Sequence, residues 1–386
     1  MSNSTHIGRP PLLAVPQSAL DDLHARLRRT RWPTPWPATR PTDPRGAGVE
    51  SGELTRLVEY WQGGYDWREH ERRINALPSR VVEVDGLPVH VLHYEGERPG
   101  ALPIVLTHGW PSSVLELTAL AERLSRPTTF GGSAQDAFTV VVPSLPGFGF
   151  TPQPTSVPGP LPTHEIWHRL MRDGLGHPRY AAHGGDLGAG VTSRLALAHP
   201  EAVVGIHVLA VAPPADVDPA TVTAEEQQYL DAVARWQTAE GGYQHEQATK
   251  PLTLAHALSD SPVGLLAWLL EKYRSWSDVR GPLPTTLADD VVLTQVSLYW
   301  FTNTISTSFR PYFEFARGAL PPLGRVSVPT AVAIFPADLT RPPRSWAERT
   351  YDVVRWTEMP RGGHFAAQDE PELLAGDITE FFRPLR

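Results

Sequence analysis

The segment Gly184-Gly185-Asp186-Leu187-Gly188 constrains this chain more than any other. Before it, Tyr180-Ala181-Ala182-His183 is a short apolar run of strand type, and after it 189–199 reads as a helix stopped by Pro200. A strand that turns straight into a helix through glycines holds the central residue of the turn up and exposed, beside backbone N–H groups. Such turns more often carry a serine there; no G-x-S-x-G occurs in the sequence. A serine needs a base to deprotonate it, whereas a carboxylate is already an anion at neutral pH and attacks carbon directly to give an ester. Asp186 is therefore the candidate nucleophile, suited to strained or halogenated sp³ carbons.

The hydrophobic pattern around this turn predicts an α/β architecture. From Arg80 the period is two, Val81 to Val84 and then Leu87 to Tyr94 around the turn Asp85-Gly86, which predicts a hairpin. Apolar runs at 103–107, 138–142, 180–183, 203–211, 329–335 and 353–359 alternate with helical stretches, the pattern of a mostly parallel sheet with right-handed crossovers. The α/β-hydrolase fold combines such a sheet with the strand-turn-helix nucleophile, and its core is expected in 80–212 and 319–386. Residues 213–318 interrupt the alternation; they are helical and rich in aromatics, and they fall where this fold places a lid. Residues 1–79 form an N-terminal helical arm. Ser18 precedes Leu20, Leu23 and Leu27 with Asp21 and Asp22 in the first turn, predicting a capped amphipathic helix that Trp32-Pro33 ends. Leu54, Leu57, Val58 and Trp61 mark a second helix, and 67–77 a third. The arm is expected to brace core and lid without touching the chemistry.

Composition narrows the partners. The formal charge is −8 with no basic run, which argues against nucleic acid. There are no cysteines, so disulfides and thiolate metal sites are excluded, in keeping with a reducing compartment. Residues 1–16 lack a charged-then-apolar signal pattern, and no run of about 20 apolar residues occurs; a cytoplasmic protein without a membrane anchor is expected. A homo-oligomer is compatible with the sequence, which does not reveal the state. The 40 prolines concentrate in 31–45 and 152–162. Both stretches read as ordered extended connections, since tryptophans within the first give it something to bury.

Four further pieces converge on Asp186. In His108-Gly109-Trp110-Pro111, directly after a buried strand, a glycine turn can aim the Trp110 backbone N–H into the site, where with the N–H of Leu187 it forms an oxyanion hole; the His108 ring reads as structural. Late in the chain, His364 stands after the last strand in Arg361-Gly362-Gly363-His364-Phe365, at the place in chain order where this fold carries its base. The acid that orients it should follow the 329–335 run, which favours Asp338 over Glu348 and Asp352 further on. Its task is to fix the imidazole tautomer while His364 takes a proton from water. Last, opening an epoxide leaves an alkoxide, and neutral tyrosine hydroxyls in the lid suit its oxygen. Tyr243 and Tyr312 stand out, but Tyr229, Tyr273 and Tyr299 lie in the same segment and residue logic alone leaves the choice open.

Taken together, the sequence resembles the epoxide hydrolases of the microsomal type, α/β-hydrolases that begin with an epoxide-hydrolase N-terminal region. The likeness runs over nearly the whole chain. It includes Tyr65-Asp66-Trp67-Arg68, His108 to Pro111, Pro143 to Phe150, His183 to Gly188, Gln247 to Pro251, Leu258 to Leu265 and Gly362 to Ala367. The resemblance implies Asp186 as nucleophile, Asp338 as orienting acid where some relatives have glutamate, His364 as base, and Tyr243 and Tyr312 as the ring-opening tyrosines. Two departures stand out: microsomal relatives carry an N-terminal membrane anchor, and many have tryptophan where this chain has Leu187. Length and high Pro, Trp and Arg usage also resemble bacterial members that act in enediyne antibiotic biosynthesis, opening an aryl-substituted epoxide to a vicinal diol.

The expected reaction is thus epoxide opening by Asp186 to a hydroxyalkyl ester, followed by its hydrolysis with His364-activated water. Its reactants are a small-molecule epoxide and water, and no step requires a metal or organic cofactor. A haloalkane or haloacid dehalogenase shares nucleophile, acid and histidine, but those enzymes usually place a halide-binding tryptophan after the nucleophile, where Leu187 stands. A non-catalytic binding protein on the same fold is opposed by competent side chains at all five reacting positions.

Overall fold

Alternating apolar residues around Asp85-Gly86 form the hairpin of β1 (Ser79–Val84) and β2 (Leu87–Tyr94), with Val84 opposite Leu87 and positive φ at both turn residues. In the computed structural model, which describes residues 12–34, 47–154, 161–278 and 287–386, this hairpin edges one eight-stranded sheet. The other strands are β3 (Leu102–Thr107), β4 (Phe138–Pro143), β5 (Tyr180–Gly184), β6 (Val203–Val208), β7 (Val326–Ile334) and β8 (Tyr351–Glu358), in the order β1-β2-β4-β3-β5-β6-β7-β8. β2 meets β4 antiparallel, and every pairing from β4 to β8 is parallel. Their carboxyl ends therefore share one edge of the sheet, where open α/β sheets hold their ligands. Successive residues of the central strands serve opposite faces: Val105 and Val141 enter one apolar cluster, Ile104 and Val140 the other.

Several boundaries differ from expectation for local reasons. β7 begins at Val326, ahead of Pro329; a register shift between these two residues accommodates the proline, which has no N–H to give the ladder. β6 stops at Val208. The first helix, Gln17–Arg28, starts behind Pro16, so Ser18 lies inside it and caps nothing, and Asp21 and Asp22 fall beyond its first turn. It ends before Trp32-Pro33, and Trp32 is 41% exposed rather than buried. Most of the two proline-rich stretches lies outside the described residues. Leu20, Leu23 and Leu27 are buried as their spacing predicts. The next helices, Ser51–Gly63 and Trp67–Ala76, are capped by the carboxylates of Glu50 and Asp66.

Between β6 and β7 lie seven α-helices from Ala224 to Phe315, among the described residues. The N-terminal helices are bonded mainly to these. Trp61 Nε1 donates to Ser297 Oγ at 3.1 Å, Tyr60 to Asp290 at 2.7 Å, and Arg274 to Glu53 at 2.6 Å. Arg56 pairs with Asp289 at 2.6 Å and Arg26 with Asp260 at 2.8 Å. No described helix is long and apolar enough to cross a membrane.

Candidate active site

The turn after β5 places Asp186 at φ 49°, ψ −128°, a left-handed conformation unfavourable for a residue with a side chain. Close packing holds it there. A Cβ on Gly188 would stand 2.0 Å from the Thr107 carbonyl oxygen, so only glycine lets the helix Leu187–Ala198 approach the end of β3. A Cβ on Gly109 would stand 2.4 Å from both Cβ and Oδ1 of Asp186. The loop after β3 thereby slides beneath the carboxylate, and the Trp110 N–H donates to Asp186 Oδ1 at 2.8 Å. Leu187 opens the helix, so its N–H is among the first-turn donors that have no partner within the helix, and the helix dipole favours an anion beside it.

His364 reaches the same carboxylate from the loop after β8. Its N–H donates to the Trp276 carbonyl at 2.9 Å, fixing the loop against the inserted helices. Its ring Nδ1 meets Asp338 Oδ1 at 2.7 Å, which also accepts the Leu339 N–H at 2.7 Å. An acceptor on Nδ1 puts the proton there and turns Nε2 toward Asp186 Oδ2, 3.4 Å away. Burial pushes the imidazolium pKa down, but the Asp338 charge and the contacts with Asp186 more than offset this and hold it well above the ordinary histidine value. The other two acids stand elsewhere: Glu348 pairs with Arg344 at 2.7 Å, and Asp352 is exposed on β8.

The five tyrosines of the inserted segment sort by what their hydroxyls do. Tyr273 donates to the Pro111 carbonyl at 2.8 Å and Tyr299 to that of Ser112 at 3.0 Å, so both brace the Trp110 loop. Tyr229 packs on Trp346 at 5.8 Å. Tyr243 and Tyr312 remain, and both line up on the Trp110 ring, Tyr243 stacked at 5.3 Å and Tyr312 edge-on at 6.0 Å. Their rings meet edge to face at 6.1 Å. Burial, then the Asp186 charge, raises both pKa values far above the ordinary tyrosine value, so both are neutral donors at neutral pH. Trp276 and Phe309 complete an aromatic wall around Trp110.

Sequence reasoning missed the bracing by Tyr273 and Tyr299, the Trp276 carbonyl that anchors His364, and buried Lys272, whose Nζ lies 4.6 Å from the Tyr243 ring centroid. No local motif marks these: the two tyrosine bonds and the Trp276 carbonyl depend on contacts between the insert and the core, and the Lys272 contact joins two helices of the insert. The His108 ring is structural: its Nε2 accepts the Leu145 N–H at 3.1 Å, its Nδ1 is 3.2 Å from the Gly109 carbonyl, and burial lowers its pKa to about 4. Among the described residues, His168, His199 and Glu201 bring ligand atoms within 4.8 Å of one another. The two rings are stacked, however, 3.6 Å apart and 4° from parallel. Imidazole binds a metal in its own plane, so as placed they cannot share one ion.

Comparison with known proteins points the same way as the geometry. Residues 9–117 match the family model described as epoxide hydrolase N terminus, and residues 103–265 match that of the alpha/beta hydrolase fold. A Stigmatella aurantiaca protein assigned by name to the epoxide hydrolases is 42% identical over 98% of this chain and 85% of its own length. Epoxide hydrolase 1 of Oryctolagus cuniculus is 32% identical over 97% of this chain and 88% of its own. Among solved structures, the epoxide hydrolase of Aspergillus niger superposes with a TM-score of 0.83 at 32% identity, covering 97% of this chain and 95% of that one.

Proposed function

Because the chain belongs to the epoxide hydrolases of the α/β-hydrolase fold, we propose that it opens a bulky, aryl-substituted epoxide to a vicinal diol through an ester on Asp186. The observation that carries this reading is the division of labour around one carboxylate. Trp110 N–H holds Oδ1, His364 faces Oδ2, and Tyr243 and Tyr312 feel the Asp186 charge from the inserted helices, which serve as the lid. Residues 80–212 and 319–386 act as the core and residues 1–79 as the arm that braces the lid.

In the first half-reaction Asp186 Oδ2 attacks an epoxide carbon, the C–O bond breaks, and the tyrosine pair gives a proton to the departing oxygen. Ester formation removes the Asp186 charge. Phenolate and neutral imidazole both become easier to form at that moment, because the same charge raised both pKa values. His364 yields its extra proton to restore the tyrosine and becomes a base. It then takes a proton from water as the water oxygen adds to Asp186 Cγ, and the oxyanion forms at Oδ1 between the Trp110 and Leu187 N–H groups. Collapse breaks the bond to the diol oxygen, which takes the carboxyl proton. Asp186 ends as the carboxylate and His364 as the imidazolium, so the cycle closes on one water consumed.

Tyr243→Phe is expected to slow ester formation by roughly 10- to 100-fold, the scale of one lost hydrogen bond to a charged group, with the double Tyr243→Phe/Tyr312→Phe variant slower still. Rapid-quench measurement of the ester checks this; unchanged ester formation in the double variant would take both residues out of the mechanism.

The aromatic wall of Trp110, Trp276 and Phe309 supports an aryl substituent. A wide cleft that shares Tyr243 and Asp338 with the site supports a bulky one. Likeness to the bacterial members noted above supports a place in enediyne antibiotic biosynthesis. A higher kcat/KM for styrene oxide than for a small alkyl epoxide is expected; the reverse order would refute the aryl preference.

A further inference from the structure

Glu116 has no part in that scheme, yet it borders the reacting groups. It lies on the short 3₁₀ turn Val114–Leu117 that follows the Trp110 loop. A cavity of about 20 Å³ opens beside Asp186, and Glu116, Ser112, His183 and His364 share its wall with the nucleophile. Every residue on that wall comes from outside 213–318, whereas the two tyrosines come from within it. The space matches one water molecule, which needs two to four polar partners when buried, and these side chains can supply them.

Charge adds a second argument. Burial pushes the Glu116 pKa up to about 7; the Ser112 hydroxyl and the His364 charge oppose that, and the Asp186 charge adds to it. Forming the ester removes the Asp186 charge that raises this pKa and, once His364 has given up its extra proton, also the cation that lowers it, so the two changes oppose each other. Asp369 is pushed up to about 8, by burial first and then by the Glu116 charge, so it keeps its proton when Glu116 gives its own up. Near neutral pH Glu116 is thus able to present a carboxylate at the edge of the cavity.

We propose that Glu116 is a positioning residue for the hydrolytic water: in the ester intermediate its carboxylate accepts one hydrogen bond from a water in this cavity and holds the water oxygen toward Asp186 Cγ. His364 Nε2 removes the other proton. The bond changes are those already given for ester hydrolysis, and Glu116 is neither consumed nor required to carry the proton away.

The inference rests on the Asp186 ester, so its test reads both half-reactions. Wild type, Glu116→Gln and Glu116→Asp are mixed with styrene oxide under single-turnover conditions, and ester formation and decay are followed by quench and mass spectrometry. In Glu116→Gln the ester is expected to form at the wild-type rate and to decay about 10- to 100-fold more slowly, the scale of one charge-assisted hydrogen bond. Glu116→Asp keeps the charge and should recover part of the decay rate. Wild-type decay in the Gln variant, or a loss shared equally by both steps, overturns the proposal. Should the Gln variant not fold, the Asp variant decides: normal formation with slowed decay supports the proposal, and any other pattern overturns it. An absence of ester in both wild type and His364→Gln would instead defeat the Asp186 reading itself.

Discussion

Replacing Asp186 by alanine is expected to reduce turnover by on the order of 10⁵-fold or more, the scale seen when a covalent nucleophile is removed. The rest of the site should survive the change. The elbow is shaped by the close approach of Gly188 to the Thr107 carbonyl, and the His364–Asp338 bond at 2.7 Å does not involve Asp186. A scheme in which His364 drives water directly onto the epoxide makes the opposite forecast, since it needs Asp186 only to support the imidazole. Such a scheme would leave a variant slower by roughly 10- to 100-fold, comparable to one lost electrostatic contact. Activity assays at a matched folded fraction separate the two. Asp186→Ala also removes one of the two carboxylates that hold the His364 pKa up. A histidine raised in the folded state contributes stability below its unfolded pKa and loses it as pH rises through the folded value. The variant should therefore lose stability relative to wild type on the acid side of that window and converge with it above.

His364→Gln should separate the half-reactions. Glutamine cannot take a proton from water, so ester hydrolysis is expected to slow by roughly 10²- to 10⁴-fold, the usual contribution of a general base. Ring opening calls on Asp186 and the tyrosines, and should continue until each active site holds one ester. The expected trace is a burst of epoxide loss equal to the enzyme concentration, with a mass increase on the peptide containing Asp186. Sustained turnover near the wild-type rate would remove His364 from the role of base.

How much of this was legible in the sequence depends on whether a feature is local. The strand-turn-helix around Asp186, the His364 loop and the Asp85-Gly86 hairpin each carry their signal within a few residues, and each lies where the pattern placed it. Asp338 was favoured over Glu348 and Asp352 by its position after a strand, and its Oδ1 lies 2.7 Å from His364 Nδ1. Choosing among five tyrosines was beyond residue logic. Tyr273 and Tyr299 differ from Tyr243 and Tyr312 only in which carbonyl or ring they meet across the insert–core boundary, and resemblance to a family made the choice. Strand ends shifted where proline was read as a boundary, because a register shift lets β7 run past Pro329. Glu116 carried no sequence signal, since one acid on a short turn is ordinary until the cavity beside it is seen.

The most direct test of the account is a single turnover of styrene oxide in ¹⁸O-water, with mass spectrometry of the diol and of the peptide that contains Asp186. Covalent attack predicts that the first diol carries unlabelled oxygen and that the label enters the Asp186 carboxylate. Label in the first diol with none in Asp186 would mean that water attacks the epoxide directly, and would contradict the ester mechanism.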